Sequence, residues 1–151
     1  MGAFQPADPH FAARIHESFA RHTLMHTIGA RLVEALPGTV TIELPFRADL
    51  TQQHGFLHAG IVTSIVDTAC GYAAISLMPP GTTVLTAEFK VNFMAPAKGH
   101  HLAAHGRVTK PGRTLTVCSG DVLAFTDGQE KLVATMLATM MAVKTRSDFP
   151  D

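Results

Sequence analysis

Apolar residues along the chain take helical spacing in two segments and strand-like spacing in six, and the order of those segments predicts an architecture. Asp8-Pro9 followed by HFAARIHESFARHTLM predicts a helix. Asp8 is a candidate N-cap, Pro9 suits the first helical position, and Phe11, Ile15 and Phe19 repeat on one face. From Ile28 the period changes. Two β-rich runs, around 30–35 and 39–44, are joined at Pro37-Gly38 and predict a hairpin. After the polar link RADLTQQHGF comes LHAGIVTSIVDTACGYAAISLM, which has no proline and is apolar on nearly every face, the mark of a buried helix. Its two glycines and many alanines allow a sheet to pack close against it. The remainder reads as four strands, TVLTAEFKVNFMAPA, HLAAHGRVTK, TLTVCSGDVLAF and KLVATMLATMMAVK. They are broken at Pro96-Ala97-Lys98-Gly99, Lys110-Pro111-Gly112-Arg113 and Thr126-Asp127-Gly128-Gln129. An antiparallel sheet wrapped around one apolar helix buries both, so the expected class is α+β. The expected organisation is one domain over 9–143, with flexible tails at 1–8 and 144–151.

Composition adds an expectation about assembly. The 151 residues suit one domain, and a hydrophobic fraction of 46% against a charged fraction of 16% leaves a thin charged coat, which implies cover by another subunit. Twelve basic and twelve acidic side chains cancel without forming runs, so the basic footprint of a nucleic-acid binder is missing. Cys70 and Cys118 lie in apolar stretches without metal-type spacing, which suits buried thiols in a reducing compartment. MGAFQPADPH has neither the basic start nor the apolar core of a secretory signal, and no apolar run reaches the roughly 18 residues of a membrane span. A cytoplasmic protein without a membrane partner is expected.

Candidate chemistry concentrates on the apolar helix. Asp67 stands among Ile65, Val66 and Ala69. A carboxylate there is costly unless bonded, paired or open to a cavity, and partial burial raises its pKa toward the range of a general base. An exposed helix position, or a bond to a neighbouring backbone, would account for it equally well. At the start of the same helix, His58-Ala59-Gly60 leaves unpaired N–H groups at the positive end of the dipole, where donors can hold an oxyanion. A plain glycine-containing turn is the alternative.

HGFLHAG, an aspartate seven residues after Gly60, and the later strand TAEFKVNFMAPA together resemble the hotdog-fold acyl-CoA thioesterases of the phenylacetate-pathway and thioesterase-superfamily-member-2 type. The resemblance covers about residues 28–143. It implies a hotdog fold, an antiparallel sheet around a long central helix, here with an extra N-terminal helix. It implies hydrolysis of an acyl-CoA without a metal or other cofactor, in a homodimer or homotetramer whose sites lie between subunits. By the same resemblance Asp67 is general base or nucleophile, and the N–H groups of Ala59 and Gly60 polarise the thioester carbonyl. Thr86 holds the attacking water, and Gln52, beside Gln53, stands where relatives carry Asn. Asp67 and Gln52 of one site then come from different chains. The turn at Lys110 and Arg113 corresponds to a basic turn near the CoA phosphates, although a solvated hairpin turn is the plainer reading. No G-x-S-x-G is present, and Ser64 and Ser76 have no evident base.

Other features carry less. His22 and His26, His54 and His58, and His100, His101 and His105 invite a metal reading, but a strand separation of four residues spans roughly 13 Å and surface histidines explain most of them. His58 is expected to bond the loop before the helix. Phe56, Leu57 and Tyr72, with Met78, Met94, Met136, Met140 and Met141, are candidates for an acyl pocket or simply for the core. Asp49 and His54 have the five-residue separation of a hotdog enoyl-CoA hydratase, yet Thr51-Gln52-Gln53 replaces the expected Asn-Pro between them and Ala48 the expected glycine. A non-catalytic acyl-CoA-binding domain is the remaining alternative.

Overall fold

The computed structural model describes residues 4–146. Two N-terminal helices, α1 (Phe11–Ala20) and α2 (Thr23–Ile28), precede the hairpin β1 (Arg31–Leu36) and β2 (Thr39–Pro45). A 3₁₀ turn at Ala48–Leu50 leads to α3 (Ala59–Ile75), followed by β3 (Thr82–Phe93), β4 (His101–Lys110), β5 (Leu115–Thr126) and β6 (Gln129–Lys144). The six strands form one antiparallel sheet in the order β1-β2-β4-β5-β6-β3, with α3 packed on one face.

The N-terminal segment differs from the single helix expected there. It starts at Phe11 and breaks at His22, which takes an extended backbone. Ile15, Phe19, Met25 and Ile28 are all buried. At about 100° per residue, the six residues from Phe19 to Met25 would leave a continuous helix some 240° out of phase, and the break brings both pairs onto the core. The N-cap is His10 and not the expected Asp8, which lies two residues earlier; the Asp8 carboxylate accepts the His10 N–H at 2.9 Å and lies buried 3.3 Å from the Arg14 Nε. The Arg14 guanidinium donates to the carbonyls of Ile75, Met78, Pro79 and Thr82, at 2.8 Å for Met78. One largely buried cation thereby ties α1 to the C-terminal end of α3.

The close packing anticipated from glycines in the helix is achieved by glycines in the sheet. Gly106 on β4 and Gly120 on β5 are cross-strand partners. A Cβ at Gly106 would lie 2.3 Å from the Ala69 carbonyl carbon, and one at Gly120 would lie 2.5 Å from Val66 Cγ2 and 2.9 Å from Cys70 Sγ. The backbone of α3 rests on that glycine pair. Gly71, in the helix, faces only an ordinary contact with Val84. Both cysteines are free and buried, with Cys118 Sγ 3.5 Å from the Cys70 carbonyl.

Gly106→Ala would force backbone against backbone, so urea unfolding is expected to show a loss of roughly 2–4 kcal/mol.

Candidate active site

α3 presents Asp67, Thr68, Gly71, Tyr72 and Ile75 on one flank, because residues three and four apart share a helix face. With Ser18 and His22 from the N-terminal helices and Thr83, Val84 and Thr86 from β3, they line a cavity of about 220 Å³. The Thr86 hydroxyl donates to Asp67 Oδ1 at 2.8 Å. It therefore orients the carboxylate directly, whereas the expected role was to hold a water. One donor occupies one of about four acceptor positions on a carboxylate, so Asp67 keeps capacity for a further partner. Burial raises the Asp67 pKa above the ordinary carboxylate range, against smaller lowering effects of the Thr86 bond and of His22. A half-buried carboxylate with a raised pKa beside a cavity can accept a proton from water. The neighbouring Cys70 thiol is pushed far upward by burial and stays protonated.

The start of α3 forms a second site. His58 is the N-cap: its Nδ1 accepts the Gly60 N–H at 2.8 Å, and its backbone N–H donates to the Leu50 carbonyl at 3.0 Å in the loop before the helix, as expected. Ile61 and Val62 both donate to the His58 carbonyl. Of the two N–H groups expected to form an oxyanion hole, Gly60 is thus engaged. The Ala59 N–H has no partner among the described residues, while its carbonyl accepts from Thr63 Oγ1 at 2.8 Å. Ala59 lines a cleft of about 450 Å³ with Gln52, Phe56, Leu57, Phe93 and Met94. Gln52 Oε1 accepts from the His54 N–H, which folds that side chain onto its own loop. Gln53 and His54 are exposed, in contact with each other at 3.4 Å, and line neither cavity.

The predicted residues therefore divide. Asp67, Thr86 and Tyr72 share one cavity, while Gln52, Ala59 and Phe56 share another. Eight residues separate Ala59 from Asp67, or about 12 Å along the helix axis, so one chain cannot bring both to the same carbonyl. Arg113 lines a further cleft of about 400 Å³ near Thr82, where its companion is Lys144. Lys110, at the end of β4, is exposed and outside that cleft, and nothing in its sequence neighbourhood pointed to Lys144. Asp49 is held by Arg47 through two bonds, at 2.6 and 3.1 Å, which lowers its pKa and leaves it a poor base. His54 does not reach it in a shared cavity. His22 was passed over in the sequence because it reads as half of a surface pair with His26. In the structure His26 bonds the Ala20 carbonyl at 2.7 Å, and His22 alone of the two lines the Asp67 cavity. Among the described residues, no three His, Cys, Asp or Glu side chains converge as metal ligands.

A family model described as the thioesterase superfamily matches residues 54–131. A solved structure of a thioesterase family protein from Silicibacter pomeroyi is 54% identical, covers 89% of this chain and 98% of its own, and superposes with a TM-score of 0.87. Human acyl-coenzyme A thioesterase 13 is 32% identical over 106 residues, 68% of this chain and 72% of the relative. The E. coli PaaI protein from the phenylacetic acid degradation operon, at 20% identity, shares the fold with a TM-score of 0.79 over 89% of this chain and 94% of its own. The chain belongs to the thioesterase superfamily. It is a hotdog-fold thioester hydrolase.

The raised Asp67 pKa means that the folded state favours the protonated form. Stability from this group is complete below the unfolded carboxylate value of about 3.9 and declines as pH rises through the raised value. Asp67→Asn keeps an acceptor for Thr86 and removes the buried charge. Its melting temperature is expected to match wild type at acid pH and to exceed it increasingly toward pH 7, as thermal melts across pH would record.

Proposed function

We propose that the protein hydrolyses an acyl-CoA thioester to the free acid and CoA, with Asp67 as general base toward water and the Ala59 N–H as oxyanion donor. A thiolate leaves readily, so one carboxylate and preorganised donors suffice, and no metal or other cofactor enters the reaction. The observation that carries this reading is Asp67 itself, half-buried, bonded to Thr86 and open to a small cavity.

The division of the site between two cavities calls for a second copy of the chain. β3 pairs with β6 on one side and has no strand on its other side among the described residues. That edge carries exposed apolar residues, Leu85 at 45%, Phe89 at 44% and Phe93 at 49%. A long apolar edge needs cover. The start of β3, at Thr83 to Thr86, borders the Asp67 cavity, and its end, at Phe93, borders the Ala59 cleft. Antiparallel pairing of two β3 strands brings the Ala59 cleft of one protomer beside the Asp67 cavity of its partner, twice per dimer. Gln52 and Phe56 come with Ala59, and Tyr72 with Asp67, so the acyl group meets both subunits. Arg113, supported by Lys144, supplies a cationic cleft close to the start of β3 for the CoA phosphates, and Lys110 lies at the neighbouring strand end.

The test follows thiol release from a panel of acyl-CoAs. Asp67→Asn should lower kcat by about 10²–10⁴-fold, the usual range for a lost base. Ala59→Pro deletes the oxyanion donor at the first helical position, where proline is tolerated, and His58 at φ −60° and ψ 139° already suits a following proline. Its loss should be about 10²–10³-fold. Mixing the two inactive variants and allowing subunits to exchange should restore about a quarter of wild-type activity, because half of the dimers are mixed and each holds one intact site of two. Full activity in Asp67→Asn would overturn the base, and no recovery on mixing would overturn the shared site.

A further inference from the structure

We propose that His22 is a positioning residue for Asp67: its imidazole faces the carboxylate across the cavity and, once protonated, holds it in the ionised form that takes a proton from water. The proposal rests on the reading of Asp67 as general base. Its support is geometric. The break between α1 and α2 falls at His22, and the extended backbone there turns the residue into the Asp67 cavity and away from the helix line of His26. The ring packs in a triangle with Phe19 and Tyr72, with centroid separations of 6.4 Å to each and 5.9 Å between those two. Tyr72 is held in turn by the Ser18 hydroxyl at 3.2 Å. An imidazole fixed by two aromatic rings beside a half-buried carboxylate is placed to act on its charge.

The surroundings leave His22 as the titrating partner. Facing Asp67 are Thr68 and Tyr72 on its own helix, Thr83 and Thr86 on β3, and Ser18 on α1, and none of these carries charge near neutral pH. Cys70 lies one turn along α3 as a buried, protonated thiol. Around His22 the other imidazole is His26. Burial lowers the His22 pKa below its ordinary value, with His26 acting in the same direction, while Asp67 and a backbone hydrogen bond raise it. His22 therefore gains its charge only on acidification, the direction in which Asp67 also takes up its proton. A cation at that point favours the carboxylate and extends activity to lower pH. Sequence reasoning could not have found this, because the pairing depends on where the helix breaks.

Rates of thiol release as a function of pH provide the test. With His22→Gln the acid limb of kcat should move to higher pH, giving about three- to tenfold less activity than wild type at pH 5 with little change at pH 8. With His22→Lys, a cation at every pH used, the limb should move to lower pH. An unmoved acid limb in His22→Gln, or an equal loss at all pH values, overturns the proposal. The same coupling is read without turnover by carboxyl ¹³C NMR titration of Asp67, whose midpoint should rise in His22→Gln. Equal midpoints overturn it. Wild-type protein that releases thiol from no acyl-CoA would instead overturn the function, and the NMR midpoints would still decide the role of His22.

Discussion

α3 can reach the sheet only where β4 and β5 carry no side chains. Gly106 and Gly120 stand opposite each other in the register, and the helix backbone at Ala69 and Cys70 occupies the space their side chains would fill. That approach sets the depth and rotation of the helix. With Val66, Ala69, Cys70 and Ala73 committed to the core, Asp67 must turn toward the flank, where β3 and the N-terminal helices meet it. A looser helix would leave the carboxylate in water with an ordinary pKa. A helix rotated further would bury it among apolar side chains without Thr86.

The N-terminal helices complete the environment of Asp67 from the other side. Arg14 anchors α1 to the last turn of α3 and to the start of β3, using carbonyls that a helix end leaves unpaired. The break at His22 then lets α2 bury Met25 and Ile28 while His22 lines the Asp67 cavity. A segment that could have been a simple cover thus contributes a titratable wall to the cavity. The charge at Asp67 has a structural cost, visible in the direction of its pKa, and the bond from Thr86 offsets part of it.

Much of this was legible in residue order. The hairpin at Pro37-Gly38, the apolar helix and the four closing strands follow from period and turn chemistry, and each recurs in the structure within a few residues. Asp67 stood out because a carboxylate in an all-round apolar helix demands a reason, and HGFLHAG ahead of it supplied the family. The roles of Thr86 and Gly60 were less legible. Both residues are where the pattern put them, but Thr86 donates to Asp67 itself, and the Gly60 N–H is taken by the ring of His58. Which donor meets which acceptor depends on rotamers, and spacing does not specify those.

The sequence by itself determined the elements, their order, the buried helix and the identity of the one carboxylate on it, because periodicity and turn residues are local properties of the chain. Tertiary structure alone decided that Gly106 and Gly120 seat the helix, that His22 lines the cavity of Asp67, and that Lys144 rather than Lys110 joins Arg113. It also placed Asp67 and Ala59 in separate cavities at opposite ends of β3. These are relations between residues far apart in the chain, set by strand register and by the distance at which a helix packs on a sheet, and no local pattern encodes either.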